Sequence, residues 1–212
     1  MAEELGLRER KKRDTMWRIY RTALDLFAER GFDKVSVQEI ADASDVSKMT
    51  VFNYFGSKED LVFHPMEEHF RDAARAVRDR LPGESAVDAV RRQFLEMAEA
   101  RDASIGLHSE PIFLKVRKVV SETSALMERA FLASRRGTRE MADLLAEETG
   151  DPMLAMVAAV SLTAARNALV EEHYRRLAAG ESPEAIAADA VERARHAFGL
   201  VENGLKGYAV KA

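Results

Sequence analysis

Two helix starts stand only eleven positions apart, at Ser36 and Ser47, and they constrain this chain more than any other feature. Ser36 with Glu39 makes a capping box: the serine oxygen takes a free backbone N–H, and the glutamate reaches back to the serine's own N–H. A helix therefore starts at Val37, with Val37, Ile40 and Ala41 on one face and Gln38, Glu39 and Asp42 turned elsewhere. Ala43-Ser44-Asp45-Val46 interrupts the pattern, and aspartate is among the few non-glycine residues that tolerate a left-handed turn. Ser47 caps a second helix in which Val51 and Phe55 share a face, leaving Lys48, Met49, Thr50, Phe52, Asn53 and Tyr54 to the other directions. Ser57 with Asp60 opens a third helix. Two short helices around a tight turn, the second carrying polar and aromatic residues beside isolated cations, suit the reading of a DNA groove.

Leu26-Phe27-Ala28-Glu29-Arg30-Gly31-Phe32, Ile40-Ala41, Val46-Ser47, Thr50, Tyr54-Phe55, Lys58-Glu59 and Leu61 are many anchors at fixed spacing. Through them residues 12–62 resemble the DNA-binding domain of the TetR (tetracycline-repressor-like) family of bacterial regulators. Two residues depart from that pattern. Asp45 stands where the family usually has glycine and brings a negative charge near the expected phosphates, and Phe52 stands where tyrosine is common. Phe52 can touch a thymine methyl but cannot donate to a phosphate. The resemblance implies that Lys48, Met49 and Thr50 head the reading helix and that Gln38 reaches a base edge. It places Phe52 and Asn53 in or beside the groove, with Tyr54 and Lys58 holding phosphates. It further implies an all-α fold, with an N-terminal three-helix helix-turn-helix DNA-binding domain and a larger C-terminal helical ligand-binding and dimerisation domain.

Charge distribution agrees with this division. The whole chain carries a net charge of -4, which argues against indiscriminate nucleic-acid binding, yet residues 8–58 are net +3 and residues 59–212 net -5. Residues 1–11 are expected to be a basic arm and 12–62 the DNA-binding domain, with 63–212 the regulatory and dimerisation domain. The arm's cations Arg8, Arg10, Lys11, Lys12 and Arg13 can lie against phosphates or enter a minor groove; a solvated tail fits them equally. The first full helix is expected from Lys12 to Arg30, burying Ile19, Ala23, Leu26 and Phe27 with Trp17 or Tyr20. Gly31 then Phe32 stop it.

Further along, a helical pattern from Lys58 to Leu81 is broken by Pro65, which predicts a kink near His64. Ser85 with Asp88 opens a helix through Ala103, and Pro111 to Glu148 divides near Ser121. Asp151-Pro152 caps a helix that is apolar nearly all round from Met153 to Ala165, as a helix buried on several sides would be. Ser161, Thr163 and Arg166 interrupt it too soon for a membrane span of ~20 apolar residues. The last helix, opened by Ser182-Pro183-Glu184, carries the stripe Ile186, Ala190, Ala194, Ala197, Val201, Leu205 and Tyr208. Two apolar stripes at the end of one chain are more than a small domain needs, and the stripe from Ile186 to Leu205 is expected to form a symmetric homodimer interface. A twofold dimer also suits a short reading helix, because two heads ~34–36 Å apart read successive major grooves of a palindromic operator.

The chemistry legible elsewhere is slight. Zero cysteines exclude disulfides, thiolate metal sites and cysteine nucleophiles. The five histidines, at 64, 69, 108, 173 and 196, form no i, i+4 pair, and no metal site or cofactor is expected. No Walker loop, GxGxxG or GxSxG is present, so the chain does not read as an enzyme. Phe94, Met97, Phe113, Leu126, Met127, Phe131, Arg166, Asn167 and His173 are candidates to line a small-molecule effector pocket, although plain core packing accounts for any one of them. The reading is therefore a ligand-responsive DNA-binding transcriptional regulator of the bacterial cytoplasm, a repressor that a small molecule releases from its operator. Its alternatives are an architectural or cell-cycle factor on the same fold without an effector, and an enzyme or ligand-carrier with a vestigial head.

Overall fold

The computed structural model describes residues 6–64, 66–108 and 110–204. Every regular element among the described residues is a helix. In chain order they are α1 (Leu7–Arg30), α2 (Val37–Ala43), α3 (Lys48–Phe55), α4 (Asp60–Phe63), α5 (Asp72–Arg78), α6 (Ala86–Glu99), α7 (Pro111–Ser121), α8 (Ser124–Thr149), α9 (Pro152–Ala178) and α10 (Pro183–Asn203). They form two compact units. One comprises Met1–Met66 with Pro111–Ala130, the other Glu67–Glu110 with Phe131–Ala212.

In the first unit, α1 begins five residues earlier than Lys12, at Leu7 after the N-cap Gly6. No glycine or proline separates Gly6 from Gly31, and leucine, arginine, glutamate and lysine are all good helix formers. The cations of the expected arm that are described, Arg8, Arg10 and Lys11, are thus helical; residues 1–5 lie outside the described residues. The buried stripe of α1 is Ile19, Tyr20, Ala23, Leu24 and Phe27. Leu26 is only partly covered and Trp17 is exposed, because α7 packs on α1 as well as α2 and α4 do, and it rotates the covered face towards Tyr20 and Leu24. At the end of α1, Gly31 takes φ 88° and its N–H donates to Phe27 O at 2.9 Å, while Phe32 packs its ring 4.9 Å from that of Phe27.

The pattern from Lys58 to Leu81 is not one kinked helix. Pro65, where the kink is expected, lies outside the described residues. On its two sides α4 ends at Phe63, and a 3-10 turn from Glu67 to Arg71 precedes α5.

The second unit is built around Phe94, whose ring stands 6.0 Å from Phe198 of α10 and 6.1 Å from His173 of α9. Its core includes Val77, Val90, Ile105, Met141, Leu162, Ile186, Ala190 and Ala194. Helix α9 is longer than its apolar start suggests. It has 27 residues, with a mean hydropathy of 1.6 in its most apolar window, enough by length and composition to cross a membrane. One such helix is weak grounds for a span, since the core helix of a soluble protein passes the same test. Nor is α9 buried on several sides: α6 and α10 cover one face, while Met153, Leu154, Val157 and Val160 stand 50–64% exposed. The expected dimer stripe is placed the other way. Ile186, Ala190 and Ala194 are wholly covered within the chain, and Ala197 and Val201 pack against the same core. The small alanines let α10 approach α6 and α9 of its own chain closely. Leu205 and Tyr208 lie outside the described residues.

Candidate nucleic-acid interface

The head is assembled by short-range hydrogen bonds. Ser36 accepts from the Glu39 N–H at 3.2 Å, and the Ser36 N–H donates to the Glu39 carboxylate at 2.8 Å. Arg30 donates to the same carboxylate at 2.6 Å, tying the end of α1 to the start of α2. The Ser36 backbone bond, with Arg30 next, holds the Glu39 carboxyl down at about 2. Between α2 and α3, Asp45 adopts φ 52°, the left-handed conformation, and Val46 N–H closes the turn on Ala41 O at 3.0 Å. Ser47 then caps α3, accepting from Thr50 N–H at 3.1 Å.

Burial divides α3 into a brace and a reading face. Val51 and Phe55 are buried in the head, while Lys48, Met49, Phe52 and Asn53 are exposed, Met49 most of all at 68%. The Lys48 ammonium stands 5.9 Å from the Phe52 ring centroid. An exposed aromatic and a methionine beside a cation match a surface that meets thymine methyls and phosphates. Thr50 is partly buried, and its hydroxyl lies 2.8 Å from that of Ser47, so it also steadies the cap. Gln38 is exposed on α2; its amide N–H donates to Asp42 at 2.8 Å, and its carbonyl points away from that bond. Tyr54 is half-buried, its ring 6.4 Å from Phe55.

Lys58, expected on a phosphate, is placed differently. Its ammonium donates to Phe32 O at 2.6 Å and lies over the rings of Phe32, at 4.3 Å, and Phe27, at 5.7 Å. Desolvation by this aromatic pocket lowers its pKa, against the pull of Asp33, Glu59 and Glu39. The lysine ties the start of α4 to the stop of α1.

The residues proposed from sequence for an effector pocket do not converge. Phe113, Leu126 and Met127 belong to the first unit, where Leu126 is core and Met127 is exposed. In the second unit Phe94 and His173 are wholly buried against each other, with Met97 packed on that core. His173 holds its Nδ1 2.7 Å from Ile105 O, and burial lowers its pKa, keeping it neutral. Phe131 is exposed under the Arg135 guanidinium, 5.8 Å from its centroid. The nine were chosen for residue type, and helical spacing does not say which neighbour each faces. Arg166 and Asn167 alone meet, at a cavity of about 30 Å³. Sequence reasoning missed three of its companions, His69, Thr138 and Thr163. Among the described residues no group of three or more His, Asp or Glu stands together as metal ligands do.

Residues 19–64 match the family model for bacterial regulatory proteins of the tetR family. Over 146 residues the chain is 27% identical to the HTH-type transcriptional regulator TcmR of Streptomyces glaucescens, covering 68% of this chain and 65% of that protein. It is 35% identical over 82 residues to the uncharacterized HTH-type transcriptional regulator YuxN of Bacillus subtilis, covering 38% and 28%. The alignments thus span less than two thirds of each of these curated relatives. Among solved structures, NalD, the secondary repressor of the MexAB-OprM multidrug efflux pump in Pseudomonas aeruginosa, superposes with a TM-score of 0.58 over 88% of this chain and 96% of that one, at 18% identity. At that identity the likeness is one of fold.

Proposed function

Because its N-terminal domain belongs to the tetR family of bacterial regulatory proteins, we propose that this chain is a DNA-binding transcriptional regulator, a homodimeric repressor of the bacterial cytoplasm that a small molecule releases from a palindromic operator. It is a regulator and not an enzyme. The observation that carries the reading is the division of α3, with Val51 and Phe55 locked into the head and Lys48, Met49, Phe52 and Asn53 presented outward. Lys48, Met49 and Thr50 would lead α3 into the groove, with Gln38 at a base edge and Tyr54 against a phosphate.

The exposed α9 stripe supports the dimer. Met153, Leu154, Val157 and Val160 fall on one helical face, which a second copy of the chain would cover symmetrically, replacing the expected α10 surface. Release of DNA would follow from the ligand's preference for a conformation with the wrong head spacing, and its effect can be no larger than that preference. Helix α7 and the start of α8 support such coupling. Lys115 donates to Asp25 of α1 at 2.5 Å, and Arg129 pairs with Asp60 while its guanidinium stands 4.9 Å from the Phe63 centroid. A segment far along the chain therefore moves with the head.

One observation favours the second reading, an architectural factor without an effector: the Arg166 cavity, at about 30 Å³, is far below the ~300 Å³ of a drug-sized pocket. Selection of bound sequences from random duplex DNA at moderate salt tests both. A palindrome with two half-sites is the expected result. Recovery of no motif, with binding that vanishes as salt rises, would leave only phosphate contacts and refute the operator reading.

A further inference from the structure

In the second unit Arg166 of α9 is nearly enclosed, its side chain 12% exposed. An arginine carries five N–H donors in a rigid fork. Here its one hydrogen bond to a described residue is long, 3.3 Å to Asp72, and its buried Nε has no acceptor at all. Asp72 does little to neutralise it, because the same carboxylate also holds Arg75 and, at 3.1 Å, His69. A buried polar group without a partner is costly, more so when charged. Arg166 sits on the wall of the cavity of about 30 Å³.

The chemistry of that wall is one-sided. Its ionisable members are both basic, Arg166 and His69, while the acids nearby, Asp72 and Asp102, act on them from outside the lining. Thr138 and Thr163 add hydroxyls 3.2 Å apart. Thr138 already donates to Ser134 O at 3.0 Å, which leaves the Thr163 proton to Thr138 or to a guest. Met141 and Ala73 supply apolar wall, and exposed Asn167 stands at the rim, so the cavity opens to the surface there. The volume suits one or two waters or a single carboxylate head, with the remainder of a larger molecule leaving past Asn167. A lone water would satisfy Nε but not the charge.

We propose that the Arg166 cavity is a subsite for the carboxylate head of an acidic small molecule, held by the free edge of the Arg166 guanidinium and the Thr163 hydroxyl. The site rests on reading the C-terminal helices as the regulatory body, and it narrows their effector to a carboxylic acid. Charge-assisted bonds from arginine to carboxylate are among the stronger and more selective polar contacts. Neutral analogues of equal size gain no comparable stabilisation.

The test uses the full-length protein labelled at arginine side-chain nitrogens, with the Arg166 Nε–H signal identified from the Arg166→Lys variant. Acetate and hexanoate are titrated against chloride at equal ionic strength, and against hexanol. The expected result is a saturable shift of the Arg166 signal with both carboxylates and none with chloride or hexanol. Hexanoate affinity should fall about tenfold or more in Arg166→Gln. Thr163→Val, which leaves the Asp72 pair intact, should weaken it about threefold. An unmoved Arg166 signal, equal movement with chloride, or full hexanoate affinity in Thr163→Val would overturn the proposal. Operator selection is run without any carboxylate, so a failed regulator reading shows as absent DNA binding and a failed subsite as an unmoved Arg166.

Discussion

Replacing Lys58 by methionine keeps the hydrocarbon stem and removes the ammonium, which isolates what that charge does. In the structure it donates to Phe32 O at 2.6 Å and faces two aromatic rings, at 4.3 and 5.7 Å. A hydrogen bond from a charged donor is worth ~1.5–3 kcal/mol and a partly desolvated cation–π contact ~0.5–2 kcal/mol. Against these stands the cost of desolvating the ammonium, visible in its lowered pKa, and the packing that the methionine retains. The net loss should be about 2 kcal/mol, or roughly 4–8 °C in Tm for a chain of this length. The single tryptophan, Trp17, lies on α1 with its ring 5.4 Å from Tyr20, so its fluorescence reports on the head as it unfolds. Operator binding as a function of salt supplies the second readout. Because the ammonium is engaged inside the domain, the slope of log K against log salt should stay unchanged in Lys58→Met. A slope shallower by about 0.9 with an unaltered Tm would mean that Lys58 sits on a phosphate, and the assignment made from its contacts would be wrong.

Asp45→Asn keeps a residue that tolerates φ 52° and removes a charge from the turn before the reading helix. With a phosphate ~7 Å away in water the repulsion removed is ~0.6 kcal/mol, so affinity should rise about threefold on every sequence; a gain confined to one base pair would count against it. Val157→Asp places a charge in the exposed α9 stripe and should give a folded monomer by sedimentation, with operator affinity at least about tenfold lower. A variant that stayed dimeric would exclude that face. His69, whose pKa is raised by its hydrogen bond to Asp72, should stabilise the fold fully below about pH 6.5 and lose that contribution as pH rises through its folded pKa. The stability difference between wild type and His69→Gln in urea should therefore shrink from pH 6 to pH 8, and a difference that grew would reverse the assignment. Neutral, buried His173 has the opposite dependence, losing stability as pH falls below about 6.5, and it cancels in this comparison because both proteins carry it.

The head was legible because its signals are local. Ser36 and Glu39, Ser47 and Thr50, and Gly31 and Phe27 each act across three or four residues, and the structure closes each pair. Lys58 shows where such reading stops. Its acceptor, Phe32 O, lies 26 residues away, and nothing in a lysine after a helical turn says whether it faces solvent or a carbonyl. Helix α10 shows the same limit for apolar patterns. Periodicity marks Ile186, Ala190 and Ala194 as a face that must be covered, but the covering helices α6 and α9 belong to the same chain, and it is α9 that leaves apolar residues outside.

The cavity beside Arg166 carried one sign that went unread. Gly137 stands inside α8, where glycine costs roughly 0.5–1 kcal/mol relative to alanine, so something other than helix propensity places it there. In the structure a Cβ at that position would run into the carbonyl oxygen of Phe70. Lacking one, Gly137 admits the Glu67–Arg71 turn to the surface of α8, and the turn carries His69 to the cavity wall beside Arg166. It also leads into α5, whose first residue, Asp72, divides its charge among Arg75, His69 and Arg166. A glycine in α8, an aspartate in α5 and an arginine in α9 are unremarkable separately; only their packing leaves a cation with donors to spare.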